Sequence, residues 1–136
     1  MTQDLHKNHS PGFLKVAEAA REKIIEISQD QYLQKVEDFK QKGGILLDVR
    51  EDHEWAEGHL PQAIHLGRGI LERDIEALVP DPGTPLVVYC GGGYRSALAA
   101  LSLKVMGYTQ VWSLSGGYRL WVANQRPVEK PILKKN

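Results

Sequence analysis

The sequence predicts an α/β fold with a central, mostly parallel sheet and helices on both faces. Four short runs, ILLDV (45–49), AIHL (63–66), LVVYC (86–90) and VWSL (111–114), have strand length and are apolar rather than alternating. Such runs belong to strands buried on both faces. Segments with helical spacing separate them, and strand–helix alternation is the pattern of a parallel sheet with crossover helices. At 136 residues the chain has room for one core and not two.

In order, residues 1–9 are polar and expected to be frayed. Ser10-Pro11 looks like an N-cap with a first-turn proline. Phe13, Val16, Ala17, Ala20 and Ile24 recur at three- and four-residue steps, predicting an amphipathic helix to about Ile27. Ser28-Gln29-Asp30-Gln31 has capping-box form and opens a second helix, with Tyr32, Leu33, Val36 and Phe39 inward and Gly43-Gly44 as its stop. A short polar helix is expected around Asp52 to Glu57, and a longer one from about Ile70 to Leu78. Another spans Tyr94 to Met106, with Ala97, Leu98, Leu101 and Val105 at helical spacing, and a last one Gly117 to Asn124. No internal repeat interrupts this order.

Composition narrows the function classes. Seventeen basic residues balance seventeen acidic ones, so no net field favours nucleic acid or an anionic membrane surface. No run approaches the roughly 18 apolar residues of a membrane span. The N-terminus lacks the layout of a secretory signal. One cysteine permits no internal disulfide, so a reducing cytoplasm is the expected compartment. The C-terminal PVEKPILKKN reads as a solvated tail.

That cysteine, Cys90, ends the third expected strand and precedes a helix, in CGGGYRS (90–96). The carboxyl end of a strand in an open α/β sheet is where ligands bind. Gly91, Gly92 and Gly93 let successive N–H groups turn inward, and with the helix N-terminus they form an anion nest. Arg95 adds a fixed cation. Together these features favour a nucleophilic thiolate. The competing view is a buried cysteine ending a strand before a tight turn; the coincidence of glycines, arginine and strand–loop–helix placement argues against it.

LLDVRE (46–51), EWAEGHLPQAIHL (54–66), VVYCGGGYRS (87–96) and LSGGYRLW (114–121) resemble, in order and spacing, a single-domain rhodanese. The resemblance implies a rhodanese-like fold over 28–124, an N-terminal extension with one helix at 1–27, and a tail at 125–136. It also implies a sulfurtransferase that carries sulfur as a cysteine persulfide, with no metal or organic cofactor. Its partners would be a small donor, thiosulfate or a persulfide, and an acceptor: cyanide, a small thiol or a protein thiol. Cys90 is then the nucleophile and Arg95 its cation, with Gly91, Gly92, Gly93, Tyr94 and Ser96 cradling the transferred sulfur. Arg68, in Gly67-Arg68-Gly69, is a further candidate for attracting an anionic donor. Asp48 and Arg50 would support the loop, and Glu54, Gly58 and His59 would tie loop to sheet. Gly116-Gly117 and Trp121 match the family's closing motif and are expected to pack. The family often has glycine where Gln62 stands, which puts that turn in question. CGGGYR also lacks the basic residues that thiosulfate-tuned loops often carry, leaving a persulfide donor equally open.

Two further readings compete. Cysteine-dependent phosphatases, with arsenate reductases on the same scaffold, place five residues between cysteine and arginine; this chain has four, a ring better sized for one sulfur. A noncatalytic binding module would be expected to lose the cysteine, which is retained. HEWAEGH (53–59) superficially suggests a zinc helix, but its histidines lie six apart with Gly58 between them, so no metal is expected.

Overall fold

The computed structural model describes residues 9–131. Expectations for residues 1–8 and for the final lysines of the tail lie outside the described residues. The elements run α1 (Pro11–Arg21), β1 (Ile25–Ile27), α2 (Gln29–Gln41), β2 (Ile45–Asp48), α3 (Asp52–Glu57), β3 (Ile64–His65), a 3-10 turn (Arg68–Ile70), α4 (Leu71–Leu78), β4 (Leu86–Tyr89), α5 (Tyr94–Met106), β5 (Val111–Leu114) and α6 (Gly117–Ala123). The five strands form one sheet in the order β1-β5-β4-β2-β3, and each neighbouring pair is parallel. No helix among the described residues is long and apolar enough to cross a membrane.

Period-two alternation divides the strand side chains between two cores. Leu47, Val49, Val88 and Cys90 face one side, against Leu71 and Ile75 of α4 and Ala99, Ala100 and Leu103 of α5. Leu46, Val87, Tyr89 and Leu114 face the other, with Tyr32 of α2 and Trp121 of α6. The central strand β4 is fully buried, as its apolar sequence requires.

The sheet has one strand more than the four expected. The predicted first helix stops at Arg21, and Ile25–Ile27 instead pairs with Trp112–Leu114 of β5. The isoleucines at 24, 25 and 27 imitate a helical stripe, but β-branched side chains suit a pleated surface, and β5 supplies backbone partners. Three side-chain expectations also fail. Val16, Leu33 and Val105 are exposed, the last at 81%. α5 packs against both the sheet and α1, so Ala97, Ala99, Ala100 and Leu103 form its buried surface and Val105 lies beyond it.

The capping box forms as expected: Gln31 N–H donates to Ser28 Oγ at 3.1 Å, and Ser28 N–H to Gln31 Oε1 at 3.0 Å. At the doubtful turn, Gln62 adopts left-handed geometry with φ 65°, and its N–H donates to Glu129 Oε1 at 3.2 Å. The tail therefore begins pinned to the domain, while residues 127–130 remain exposed. Glu129 exchanges two backbone hydrogen bonds of 2.8 Å with His59, and Trp121 Nε1 donates to Pro127 O at 2.8 Å.

Candidate active site

Cys90 follows β4 directly, and α5 begins at Tyr94 after the three glycines. Gly93 takes φ 107° at the N-cap, which turns its N–H back onto the cysteine, donating to Sγ at 3.1 Å. On the buried side the Cys90 thiol donates to Ser96 Oγ at 3.5 Å, and Ser96 shares a 2.8 Å hydrogen bond with Ser113. Both serines are fully buried, so Ser96 holds the sulfur from behind. Cys90 itself is 1% exposed and sits at the floor of a cavity of about 400 Å³. His9, Phe13, His53, Glu54, Tyr94, Arg95 and Arg119 are among the side chains that line it.

Arg95 does not stand alone. Its two terminal nitrogens donate to the two carboxylate oxygens of Glu54 at 2.8 and 3.1 Å, the fork geometry that makes arginine–carboxylate pairs directional. Glu54 Oε1 also accepts from Glu51 N–H at 3.0 Å, closing the capping box of α3. Burial alone would raise the Glu54 carboxyl, but the Arg95 and Glu51 hydrogen bonds outweigh it and hold it down at about 2. For Arg95 the Glu54 hydrogen bonds, against burial and helped by the Cys90 charge, push the guanidinium above its ordinary value.

Asp48 and Arg50 form a buried ion pair behind the loop, with Arg50 Nη2 on Asp48 Oδ2 at 2.8 Å. The same Nη2 donates to Gly58 O at 2.6 Å, and the guanidinium lies 4.1 Å from the Tyr118 ring centroid. Arg50 therefore joins the end of β2 to α3 and α6. Asp48 is not a helix cap; it accepts from Arg50 N–H and Nε. His59 is buried, stacks on Trp55 with ring centroids 3.7 Å apart, and bonds Leu60 O through Nδ1. It joins α3 to the chain after α6 through Trp55 and Glu129, and lies outside the cavity lining. Arg68 also lies outside the lining, with its guanidinium on Glu72 at 2.9 Å and on Ser102 at 3.3 Å.

The turn from β5 to α6 braces the cysteine loop. Tyr118 N–H donates to Cys90 O at 2.8 Å, and Arg119 N–H to Gly91 O at 3.0 Å. Gly117 has φ 54°, and a side chain there would overlap the Cys90 carbonyl, so this position requires glycine on two counts. Gln29, 4% exposed, holds the same turn by donating to Ser115 O and Gly117 O at 3.1 and 2.9 Å. The closing motif thus positions the nucleophile as well as packing.

Sequence reasoning missed Arg119, Gln29 and the contribution of His9, just before α1, and Phe13, within it. Arg119 belongs to LSGGYRLW (114–121), and its available signal was that the same four residues, GGYR, occupy 92–95 and 116–119. A carbon added at Gly91 would come within 3.0 Å of Arg119 Nη2 and 3.1 Å of Arg95 Nη2, so both guanidiniums close over that glycine.

Sheet order and site define an α/β domain carrying a cysteine loop at the carboxyl end of its central strand. A model of the rhodanese-like domain matches residues 28–124, and the chain belongs to that family. It is 36% identical over 83 residues to the thiosulfate sulfurtransferase GlpE of Stutzerimonas stutzeri, covering 61% of this chain and 74% of that protein. Among solved structures, the polysulfide-sulfur transferase homodimer of Wolinella succinogenes superposes with TM-score 0.72 and 26% identity, covering 88% of each chain. A Rhodopseudomonas palustris protein of unknown function, titled a possible tyrosine phosphatase, superposes with TM-score 0.75 and 26% identity over 91% of this chain and 98% of that one.

Proposed function

We propose that the chain is a sulfurtransferase that carries sulfane sulfur as a persulfide on Cys90. The observation that carries this reading is the Cys90 sulfur at a cavity floor, facing the Gly93 N–H at 3.1 Å beneath a paired arginine. A backbone N–H aimed at an anion in a partly dry site stabilises developing charge without reorganising.

The Cys90 thiolate attacks the outer sulfur of the donor. With thiosulfate, the new sulfur–sulfur bond forms as the old one breaks, and sulfite leaves with the electron pair. The product Cys90–S–S⁻ extends into the cavity, its charge held by the loop amides and Arg95. An acceptor such as cyanide then attacks the terminal sulfur, leaves as thiocyanate and restores the thiolate. The two half-reactions make the cycle ping-pong. Ser96 supports both states, because its hydroxyl accepts from the thiol and can turn to donate to the thiolate. The chain has one cysteine, so no internal thiol can resolve the persulfide, and sulfur passes to an external acceptor. The name of the GlpE relative supports this reaction class. The four-residue spacing from Cys90 to Arg95 favours it over phosphoryl transfer, and the retained cysteine favours it over a noncatalytic module.

The test is intact-mass spectrometry after incubation with thiosulfate or an alkyl persulfide, followed by cyanide and thiocyanate detection, with a phosphate ester in parallel. The wild-type protein is expected to gain the mass of one sulfur atom and lose it to cyanide. Cys90→Ser should do neither while melting normally. Sulfur transfer by that variant, or turnover of the phosphate ester alone, would overturn the assignment.

A further inference from the structure

β5 reads VWSL, and its third residue is a serine in an otherwise apolar strand. Strand alternation puts Ser113 on the face of Val111, and its register partner in β4 is Val88, two residues before Cys90. That face packs against α5, whose first turn brings Ser96 to it. Ser113 is 0% exposed. A buried hydroxyl costs stability unless it is hydrogen-bonded, and an alanine here would avoid that cost. Among the described residues the Ser113 side chain makes one hydrogen bond, to Ser96 Oγ at 2.8 Å.

Two hydroxyls in line behind one sulfur order their protons in one of two ways, since each donates once and accepts twice. When Cys90 is a thiol, Sγ–H donates to Ser96, Ser96 donates to Ser113, and the Ser113 hydrogen has no acceptor among the described residues. When Cys90 is charged, Ser113 donates to Ser96 and Ser96 donates to Sγ, so every hydrogen is used. The second order points both O–H dipoles at the sulfur, and hydrogen bonds in such a chain polarise and strengthen one another in a dry interior. Both serines lie on the buried side of Sγ, away from the cavity into which a transferred sulfur extends. The pair therefore responds to charge on Sγ and not to charge on the outer sulfur.

We propose that Ser113 is a positioning residue that acts through Ser96 to stabilise negative charge on Sγ, and so eases the departure of Cys90 when sulfur is passed on. This rests on the sulfurtransferase reading. With cyanide as acceptor, Cys90–S–S⁻ and CN⁻ give Cys90–S⁻ and SCN⁻. The carbon–sulfur bond forms as the bond from Sγ to the outer sulfur breaks, and the electron pair of that bond stays on Sγ. No proton, oxidant or reductant takes part. Charge thus moves from the outer sulfur onto Sγ, where the Ser96 O–H receives it. Loading runs the opposite way and draws charge off Sγ. Loss of Ser113 therefore slows discharge without slowing loading, whereas damage to the fold slows both.

The experiment loads the full chain with thiosulfate or an alkyl persulfide, whichever loads faster, and discharges it with cyanide in single turnovers. The pH is alkaline, where further base no longer raises the loading rate, and intact-mass spectrometry reads the persulfide. The loading equilibrium is read at a fixed ratio of the donor to its sulfite or thiolate product. Ser113→Ala should shift that equilibrium about threefold toward persulfide, since it weakens but does not remove the bond to the charged sulfur. With a Brønsted coefficient of about 0.4–0.5 for thiols, discharge should fall about twofold while loading holds or rises. Ser96→Ala removes the direct donor and should shift the equilibrium about tenfold. Adding Ser113→Ala to it should change nothing further, because Ser113 has no other route to the sulfur. If Ser113→Ala slows both steps alike or neither, or if the double variant is additive, the inference is overturned and the sulfurtransferase reading stands. If the wild-type chain takes sulfur from neither donor, both fall.

Discussion

Substituting Gly117 by alanine tests whether the β5–α6 turn holds the nucleophile in place. The residue has φ 54°, a conformation that costs an L-residue about 1–2 kcal/mol. A new carbon would also overlap the Cys90 carbonyl oxygen and stand 3.0 Å from the carbonyl carbons of Cys90 and Gly91. These atoms are backbone, so the overlap is relieved only by moving the cysteine loop away from the turn. That motion strains the hydrogen bonds from Tyr118 N–H to Cys90 O and from Arg119 N–H to Gly91 O, at 2.8 and 3.0 Å. Each contributes about 0.5–1.5 kcal/mol, so the total loss should be about 2–5 kcal/mol. Gly43→Ala is the internal comparison. Its φ is 77°, but a carbon there meets nothing within 4 Å, so only the conformational cost of about 1–2 kcal/mol applies. Urea unfolding reads the stability of both variants, and the rate of Cys90 alkylation by iodoacetamide reads the loop. Gly117→Ala should unfold at markedly lower urea and change its alkylation rate several-fold, while Gly43→Ala should keep the wild-type rate. The bracing argument fails if the two variants unfold together and alkylate alike.

Two other predictions concern the charged pairs. Arg50→Ala strips the partner from Asp48, which is 0% exposed, and leaves the Gly58 carbonyl without its donor. It should cost about 3–5 kcal/mol in urea unfolding, the range for breaking a buried ion pair from one side; a loss below 1 kcal/mol would mean that water reaches Asp48. The Glu54 carboxyl is depressed in the folded state from 4.5 to about 2, so its contribution to stability is complete above the unfolded value and fades as pH falls through that window. Wild-type protein should therefore lose more stability between pH 5 and about pH 2 than Glu54→Gln does, measured by thermal melting, and identical pH profiles would remove Glu54 from that role.

Much of the site was legible because its signals are local. Cys90, three glycines and Arg95 are contiguous, and a strand before them and a helix after them follow from apolar runs and spacing within a few residues. The same holds for the Ser28 capping box. Arg68 misled because its sequence neighbours, Gly67 and Gly69, suggest a ligand loop, whereas its partners Glu72 and Ser102 belong to α4 and α5. The isoleucines after Arg21 misled because a β-branched run fits a helical stripe and a strand equally well until β5 is beside it.

The chain's own order of residues determined an α/β domain, the place of Cys90 at the end of a strand, and the four residues that separate it from Arg95. Tertiary structure alone decided that β1 joins the edge of the sheet beside β5, that Gln29 reaches across to hold Gly117, and that Arg119 shares the space above Gly91 with Arg95. It also decided that His9, just before α1, and Phe13, within it, line the same cavity as Cys90. The reason is physical. Periodicity and turn chemistry report forces between residues a few positions apart, whereas these contacts join residues dozens of positions apart and exist only once both cores have closed.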